Sequence, residues 1–504
     1  MNINGGAMLK NNRFKNLILF VMFAFIISIY IFDRGITDFD ELWNFNFALN
    51  ISNGLVPYRD FNILQTPLMP FISGIILKIL GRELLVMRLL GVVLSTCIIF
   101  MSYRILQKLK VNSTYSIGVS LFLIYVYKNY FTIDYNFMNL LLILIIIYLE
   151  LKNKDVDRFL YSFGLGVILG LTILTKQSTG LVISFIACGY RLLVVRNKDS
   201  LLKFIKTAIA RVFGICIPML TFIIYLIATN AYHDFIDYAI LGINTFSNSI
   251  KYSSLLDNEK IIAVSSIVVP IIIIVELIYS AFTSNKEKII LSSYAIGSLI
   301  LVYPIADSIH FLIGAMPGFL LVLYLLFEVL SRIYNEEKDS NKETLIASKI
   351  VNELILFAFV FLSLYNTYRT FEKLFNEKNY QSLAHFRGIY MDDHEISEIE
   401  NVDKFILNDK ENTIMLDAYA SIYMIPIDKY DKDFSLFLKG NLGSRGEEGI
   451  ISKIQVLNSG TKFLIRKDGY RRNWQTPENV ISYVKNEYKK IDEIEIFDIY
   501  VKEE

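Results

Sequence analysis

Cysteine is scarce in this sequence: only three of its 504 residues. Cys97, Cys188 and Cys216 all fall in apolar stretches, and the region after residue 370 has none. That spacing excludes a disulfide framework and a cysteine-rich metal site. Small apolar packing residues are what such positions ask for. Charge is also scarce, at 20% of residues, where ordinary soluble domains carry about 25%. The net charge is +1 and no basic stripe stands out, so nothing points to nucleic acid as a partner. Internal repeats, low-complexity tracts and His-x-x-x-His pairs are absent. So is a signal-peptide cleavage pattern. Lys10, Arg13 and Lys15 precede an apolar stretch over 17–32, but it runs into Asp33-Arg34-Gly35, which reads as an uncleaved first span.

What is there is apolar: 54% hydrophobic residues and a mean hydropathy of +0.44. Runs close to the roughly 20 residues that cross a hydrocarbon core recur from residue 15 to about 368. The spans expected are 17–32, 84–104, 114–129, 135–151, 159–175, 178–195, 207–229, 260–282, 288–304, 309–331 and 347–367. The expectation is a polytopic α-helical membrane protein of about eleven transmembrane helices, with a C-terminal extracytoplasmic α/β domain. An odd number of spans puts the termini on opposite sides, and the basic residues assign them. Arg104, Lys108 and Lys110, then Lys152, Lys154 and Arg158, then Arg191, Arg196, Lys198, Lys203 and Lys206 fall in alternate loops. Lys286, Lys288, Arg332, Lys338 and Lys342 continue the set. The N-terminus is therefore expected inside and the tail outside. The division expected is a membrane domain over 1–369 and a soluble domain over 370–504, in a bacterial plasma membrane.

The loop over 33–83 is too long for a turn. Its part 40–50 predicts a helix stopped by Asn53-Gly54, and 70–80 an apolar helix too short to cross, ended by Gly81. In the tail, helices are expected over 395–407, 446–457 and 477–489, and strands over 413–418, 461–466 and 494–501. That alternation predicts a small α/β layer with a mainly parallel sheet.

Chemistry concentrates at the outer mouth of the first span. In Thr37-Asp38-Phe39-Asp40-Glu41-Leu42-Trp43 three carboxylates lie within four positions. A carboxylate partly desolvated by aromatics at a membrane surface suits a general base on a hydroxyl. The same residues also suit a capped helix N-terminus, and the two roles are compatible. Downstream lie Gly54-Leu55-Val56-Pro57-Tyr58-Arg59-Asp60-Phe61, Gln65-Thr66-Pro67-Leu68, Leu80-Gly81 and Arg88-Leu89. Together with the acidic stretch they resemble the first-loop signature of the GT-C glycosyltransferases, the membrane enzymes that include protein O-mannosyltransferases and the aminoarabinose transferase of lipid A. The resemblance covers most of residues 1–370 as a pattern.

It implies transfer of a sugar from a polyprenyl-phosphate donor to an extracytoplasmic glycan, lipid or protein. Asp40 matches the catalytic base of such enzymes, with Glu41 and Asp134 as further acidic candidates. The donor phosphate calls for cations, with Arg59 first, because a guanidinium forks onto phosphate oxygens, then Lys176 and His310. Asp38, Tyr58, Asp60 and Gln177 complete the expected substrate contacts. Lys176-Gln177 resembles a turn of these enzymes between two spans, though a lysine there also suits a headgroup anchor. His310, followed by Pro317, matches a His before a late span. Asp134 reads equally well as an N-cap or as a second acidic group; a divalent metal held jointly with Asp40 is conceivable, and none is assigned. Gly166-x-x-x-Gly170 lies in an apolar span and reads as a helix-packing notch. The competing readings are a transporter or flippase of lipid-linked saccharides, against which the absent repeat speaks, and a non-catalytic binder of the same lipids.

Overall fold

A computed structural model of the chain describes residues 3–36, 39–154, 158–246, 249–337, 342–374, 383–471 and 475–503. Each of the eleven apolar stretches contains a helix. These are α1 (Ile3–Phe32), α4 (Leu84–Lys108), α5 (Ser113–Tyr127), α6 (Tyr135–Lys152), α7 (Phe159–Thr175), α8 (Gln177–Gly189), α9 (Lys198–Ala228), α11 (Lys260–Thr283), α12 (Lys286–Ser298), α13 (Ser308–Glu337) and α14 (Lys342–Leu374). Between them lie the loop helices α2 (Phe39–Ser52) and α3 (Leu68–Leu80) and the single turn α10 (Tyr232–Phe235). Among the described residues, seven helices are long and apolar enough to cross a membrane. Pro218, Pro270 and Pro317 sit inside α9, α11 and α13.

The chain packs as two compact units. The first comprises residues 1–33, 88–218 and 251–377, and the second 34–87, 219–250 and 378–504. In the first unit small residues let helices approach closely, as they must where lipid gives no hydrophobic drive. A Cβ on Gly166 would collide with the backbone of Arg211, one on Gly214 with Phe163, and one on Gly170 with Pro218. The predicted notch is thus the seam between α7 and α9. Ion pairs close the ends of spans. Arg211 meets Glu150 at 2.6 Å, and Lys288 meets Glu328 at 2.7 Å and Glu276 at 3.3 Å.

The second unit joins two loops to the tail. Helix α2 begins with Asp40 and Glu41, whose charges favour a helix N-terminus. Beyond its end Gly54 takes a left-handed φ of 89°, a conformation that costs glycine little. Gly81 closes α3 likewise, at 123°. The two helices touch where Gly74 packs on Ile51 and the Ala48 carbonyl. The tail holds α15 (Asp393–Asn408), the turn α16 (Ser421–Met424), α17 (Gly446–Gln455) and α18 (Glu478–Glu487). Its strands are β1 (Thr413–Leu416), β2 (Lys462–Arg466), β3 (Lys489–Ile494) and β4 (Phe497–Val501), in sheet order β1-β2-β4-β3.

The expected mainly parallel sheet needs correction. Only β1 and β2 run parallel, with Ile414 opposite Phe463; β2–β4 and β3–β4 are antiparallel. The cause is β3, which the sequence reading assigned partly to the preceding helix. Its charged run Lys489 to Glu493 is exposed, as suits an edge strand guarded against further pairing. A hairpin through Glu495, at a φ of 49°, then forces β4 to return antiparallel. One face of the sheet buries Phe463, Ile465 and Ile414 against Ile450 and Ile454 of α17 and Val480 and Val484 of α18. The other meets α15 through Met415, Leu464, Val402 and Ile406.

Candidate functional site

The predicted residues fall into two sets, one in each unit. In the second unit Asp40 and Glu41 stand in the first turn of α2, Asp40 half-buried and Glu41 buried. The helix start is fixed by Trp43, which stacks on Phe39 with ring centroids 5.6 Å apart. Trp43 Nε1 donates to the Ala418 carbonyl at 3.0 Å, just beyond β1. Asp38 lies outside the described residues.

The Gly-x-x-Pro-Tyr-Arg-Asp segment forms a tight loop. Tyr58 sits at a φ of 71°, uncommon for a bulky residue, and is held there from several sides. Its N–H donates to Phe61 O at 2.8 Å, its hydroxyl to Gln65 O at 2.9 Å, and its ring packs edge-on against Phe235. It is wholly buried, so it shapes the loop from within. Arg59 forks onto its own neighbour, Nε to Asp60 Oδ1 at 2.8 Å and Nη2 to Oδ2 at 2.7 Å, and Nη1 donates to Thr229 O at 3.3 Å. Asp60 also accepts from Val56 N at 2.7 Å. The Arg59 hydrogen bonds hold the Asp60 carboxyl below its usual range, aided by that N–H and opposed by burial. The fork that phosphate binding asks of Arg59 is thus already engaged.

In the first unit the structure brings Asp134, Lys176 and His310 into one electrostatic neighbourhood. Asp134 caps α6, its carboxylate accepting from Asn136 N. It is buried, and burial raises its carboxyl above the usual range against the pull of Asn136 and of the charges on His310 and Lys176. Lys176 occupies the break between α7 and α8, donates to Asn136 Oδ1 at 3.0 Å and lies 5.4 Å from the Tyr135 ring centre. It therefore turns toward the α6 N-terminus. Gln177 opens α8 beside it. His310 Nδ1 meets Asp307 Oδ1 at 2.8 Å at the start of α13. Burial pushes the Asp307 carboxyl up, but the His310 contacts outweigh it and leave the group below its ordinary value.

Among the described residues no group of three or more His, Cys, Asp or Glu side chains gathers as metal ligands. Asp134 moreover lies in the field of Lys176, whose charge competes with a bound cation. The sequence reading passed over Asn136, which links Asp134 to Lys176. An amide in an otherwise apolar span was the available signal.

No protein-family model and no curated protein matches the sequence. Solved structures do resemble it. ArnT from Cupriavidus metallidurans bound to undecaprenyl phosphate matches with a TM-score of 0.59 at 10% identity, over 96% of this chain and 98% of that one. The apo state of the same protein gives 0.58 at 10% identity, over 96% and 97%. The oligosaccharyltransferase AglB from Archaeoglobus fulgidus, in complex with an inhibitory peptide and a dolichol-phosphate, gives 0.51 at 9%, over 90% and 70%. Over 96% of its length the chain shares the fold of ArnT, and over 90% that of AglB.

Proposed function

We propose that the protein transfers a sugar from a polyprenyl-phosphate donor to an extracytoplasmic acceptor, a cell-wall glycan, glycolipid or protein. The observation that carries this reading is the likeness over 96% of the chain to a structure bound to undecaprenyl phosphate. The acceptor hydroxyl attacks the anomeric carbon, the bond from that carbon to the phosphate oxygen breaks, and the acceptor proton passes to Asp40. Polyprenyl phosphate leaves as a stable anion, so the demand on the protein is a base and a cation rather than a strong acid. Arg59, Lys176 and His310 are the candidate phosphate cations, and each already has a partner, Asp60, Asn136 and Asp307 respectively. Glu41 and Asp134 are the reserve candidates for the base.

The apolar helices support a multi-pass protein, and the basic loops support an N-terminus inside. The tail packs in one unit with residues 34–87 and 219–250, and most of these lie in loops with few basic residues. That supports an extracytoplasmic tail.

The test supplies membranes containing the protein with labelled undecaprenyl-phosphate sugars and follows products by mass spectrometry. Asp40→Asn is expected to lower turnover about 100- to 10,000-fold while undecaprenyl-phosphate binding survives. Turnover unchanged in that variant removes Asp40 as the base. Wild-type protein that moves the lipid across the bilayer without forming product replaces the transferase reading with the flippase one.

A further inference from the structure

Helices α6 and α8 leave the Lys176–Asn136 contact together, and each carries a buried polar side chain one turn further in. On α6 it is Asn139, three residues after Asn136 and so on nearly the same face, about 4.5 Å deeper along the axis. On α8 it is Thr179, three residues after Lys176. Both side chains are fully buried. Among the described residues, neither amide atom of Asn139 nor the Thr179 hydroxyl has a hydrogen-bond partner.

Polar side chains in apolar helices ordinarily satisfy themselves by bonding back one turn, and this chain does so elsewhere. Thr175 Oγ1 donates to Leu171 O at 2.9 Å, and Asn366 Nδ2 to Leu362 O at 2.9 Å. Asn139 and Thr179 do not, nor do Ser95, Thr96, Ser184, Ser292 and Ser293; what sets Asn139 and Thr179 apart is their place one turn from the Lys176–Asn136 contact. The start of α8 has no room to shift, because a Cβ on the adjacent Gly180 would collide with the backbone of Ile173 in α7. Helix α6 packs against both α7 and α8.

An unpaired buried amide and hydroxyl cost stability, and Asn and Thr in membrane helices ordinarily bond across to a neighbouring helix, which these two do not. Their chemistry defines the ligand. A carboxamide and a hydroxyl each donate and accept without charge, which suits a neutral polyol. A phosphate needs a cation, and the cation nearby is Lys176, one turn outward. We propose that Asn139 and Thr179 form a neutral polar subsite that takes hydroxyl groups of the sugar carried by the lipid donor. The inference rests on the sugar-transfer reading and names the residues that recognise the sugar as distinct from the phosphate.

The experiment compares the binding of undecaprenyl phosphate with that of undecaprenyl-phosphate glucose, galactose and mannose to the full chain in lipid nanodiscs. Wild-type protein is expected to hold at least one sugar-bearing lipid about tenfold tighter than the bare phosphate. Asn139→Leu is expected to erase that preference, to bind undecaprenyl phosphate within about twofold of wild type, and to melt no lower, since an apolar side chain replaces an unpaired amide. Thr179→Val, nearly isosteric, is expected to reduce the preference about threefold; it decides the matter if Asn139→Leu fails to fold. A sugar preference retained in both variants overturns the proposal, as does a wild type with no preference among these lipids. A preference lost on mutation, in a protein that forms no transfer product, upholds the subsite while the transferase reading falls.

Discussion

Helix α6 carries a buried carboxylate at each end, and the molecule treats the two in opposite ways. Glu150, near the C-terminal end, is wholly buried and enclosed by permanent partners. Arg211 lies at 2.6 Å and Arg191 at 3.6 Å. The hydroxyls of Tyr190 and Tyr294 donate at 2.8 and 3.3 Å. Asp134, at the N-terminal end, is buried too, but its surroundings are an asparagine, a histidine and a lysine. The C-terminal end ties three further stretches of chain, at Tyr190–Arg191, Arg211 and Tyr294, to one carboxylate. The N-terminal end sets its carboxylate among an amide, an imidazole and an ammonium group. Burial alone therefore does not fix how a carboxylate is held; the kind of partner does.

Removing one member of the Glu150–Arg211 pair is the strongest way to break this comparison. Arg211→Met leaves Glu150 only Arg191, at 3.6 Å, as a counter-charge and is expected to destabilise the protein by about 3 kcal/mol, read as a lowered melting temperature in detergent. Adding Glu150→Leu should recover part of that loss, because the buried carboxylate is gone while Arg191, Tyr190 and Tyr294 lose their acceptor. If the double variant melts no higher than the single, the Glu150 cluster is not held by charge.

A third carboxylate, in the tail, sharpens the contrast. Asp403 is buried, and burial, with the Glu400 charge beside it, pushes its carboxyl up to about 8. Its folded pKa lies above an unfolded value of about 3.9. Its stability contribution is therefore complete below about pH 4 and is lost as pH rises through 8. Asp403→Asn should stabilise α15 by about 2 kcal/mol at pH 9 and by almost nothing at pH 4. Hydrogen exchange over residues 393–408 in the full chain measures this, and a gain independent of pH contradicts it.

The smallest effect on stability belongs to Asp134→Asn. Asparagine caps a helix as well as aspartate does, so the melting temperature should shift by the equivalent of less than about 1 kcal/mol. Sugar transfer in the same variant should drop about 10- to 100-fold. A loss of stability as large as that of Arg211→Met would place Asp134 with Glu150 and dissolve the distinction.

Much of this fold is legible in the sequence because its signals are local. Apolar runs mark the spans, Gly54 and Gly81 end the loop helices where a positive φ is required, and Gly166 and Gly170 announce a close helix contact. What escaped depends on distant partners. The β3 strand, Lys-Lys-Ile-Asp-Glu-Ile, looks like the end of a helix until β4 pairs with it. Its turn uses Glu495 rather than a glycine. The Glu150–Arg211 pair joins two spans about sixty residues apart, and no periodicity announces it. For the site, the acidic start of α2 and the Lys176-Gln177 break were readable as places. Engagement of Arg59 by Asp60 and the turn of Lys176 toward Asn136 needed coordinates.

The hydrogen bond from Trp43 to Ala418 spans 375 positions of the chain, and that distance has a temporal side. At translation rates of roughly 5–20 residues per second, the acceptor carbonyl emerges on the order of 20 to 75 seconds after its donor. Throughout that interval the first loop must persist without the segment that finishes it. Biogenesis of this protein thus includes a long wait during which α2 has α3, but not yet the tail, to pack against.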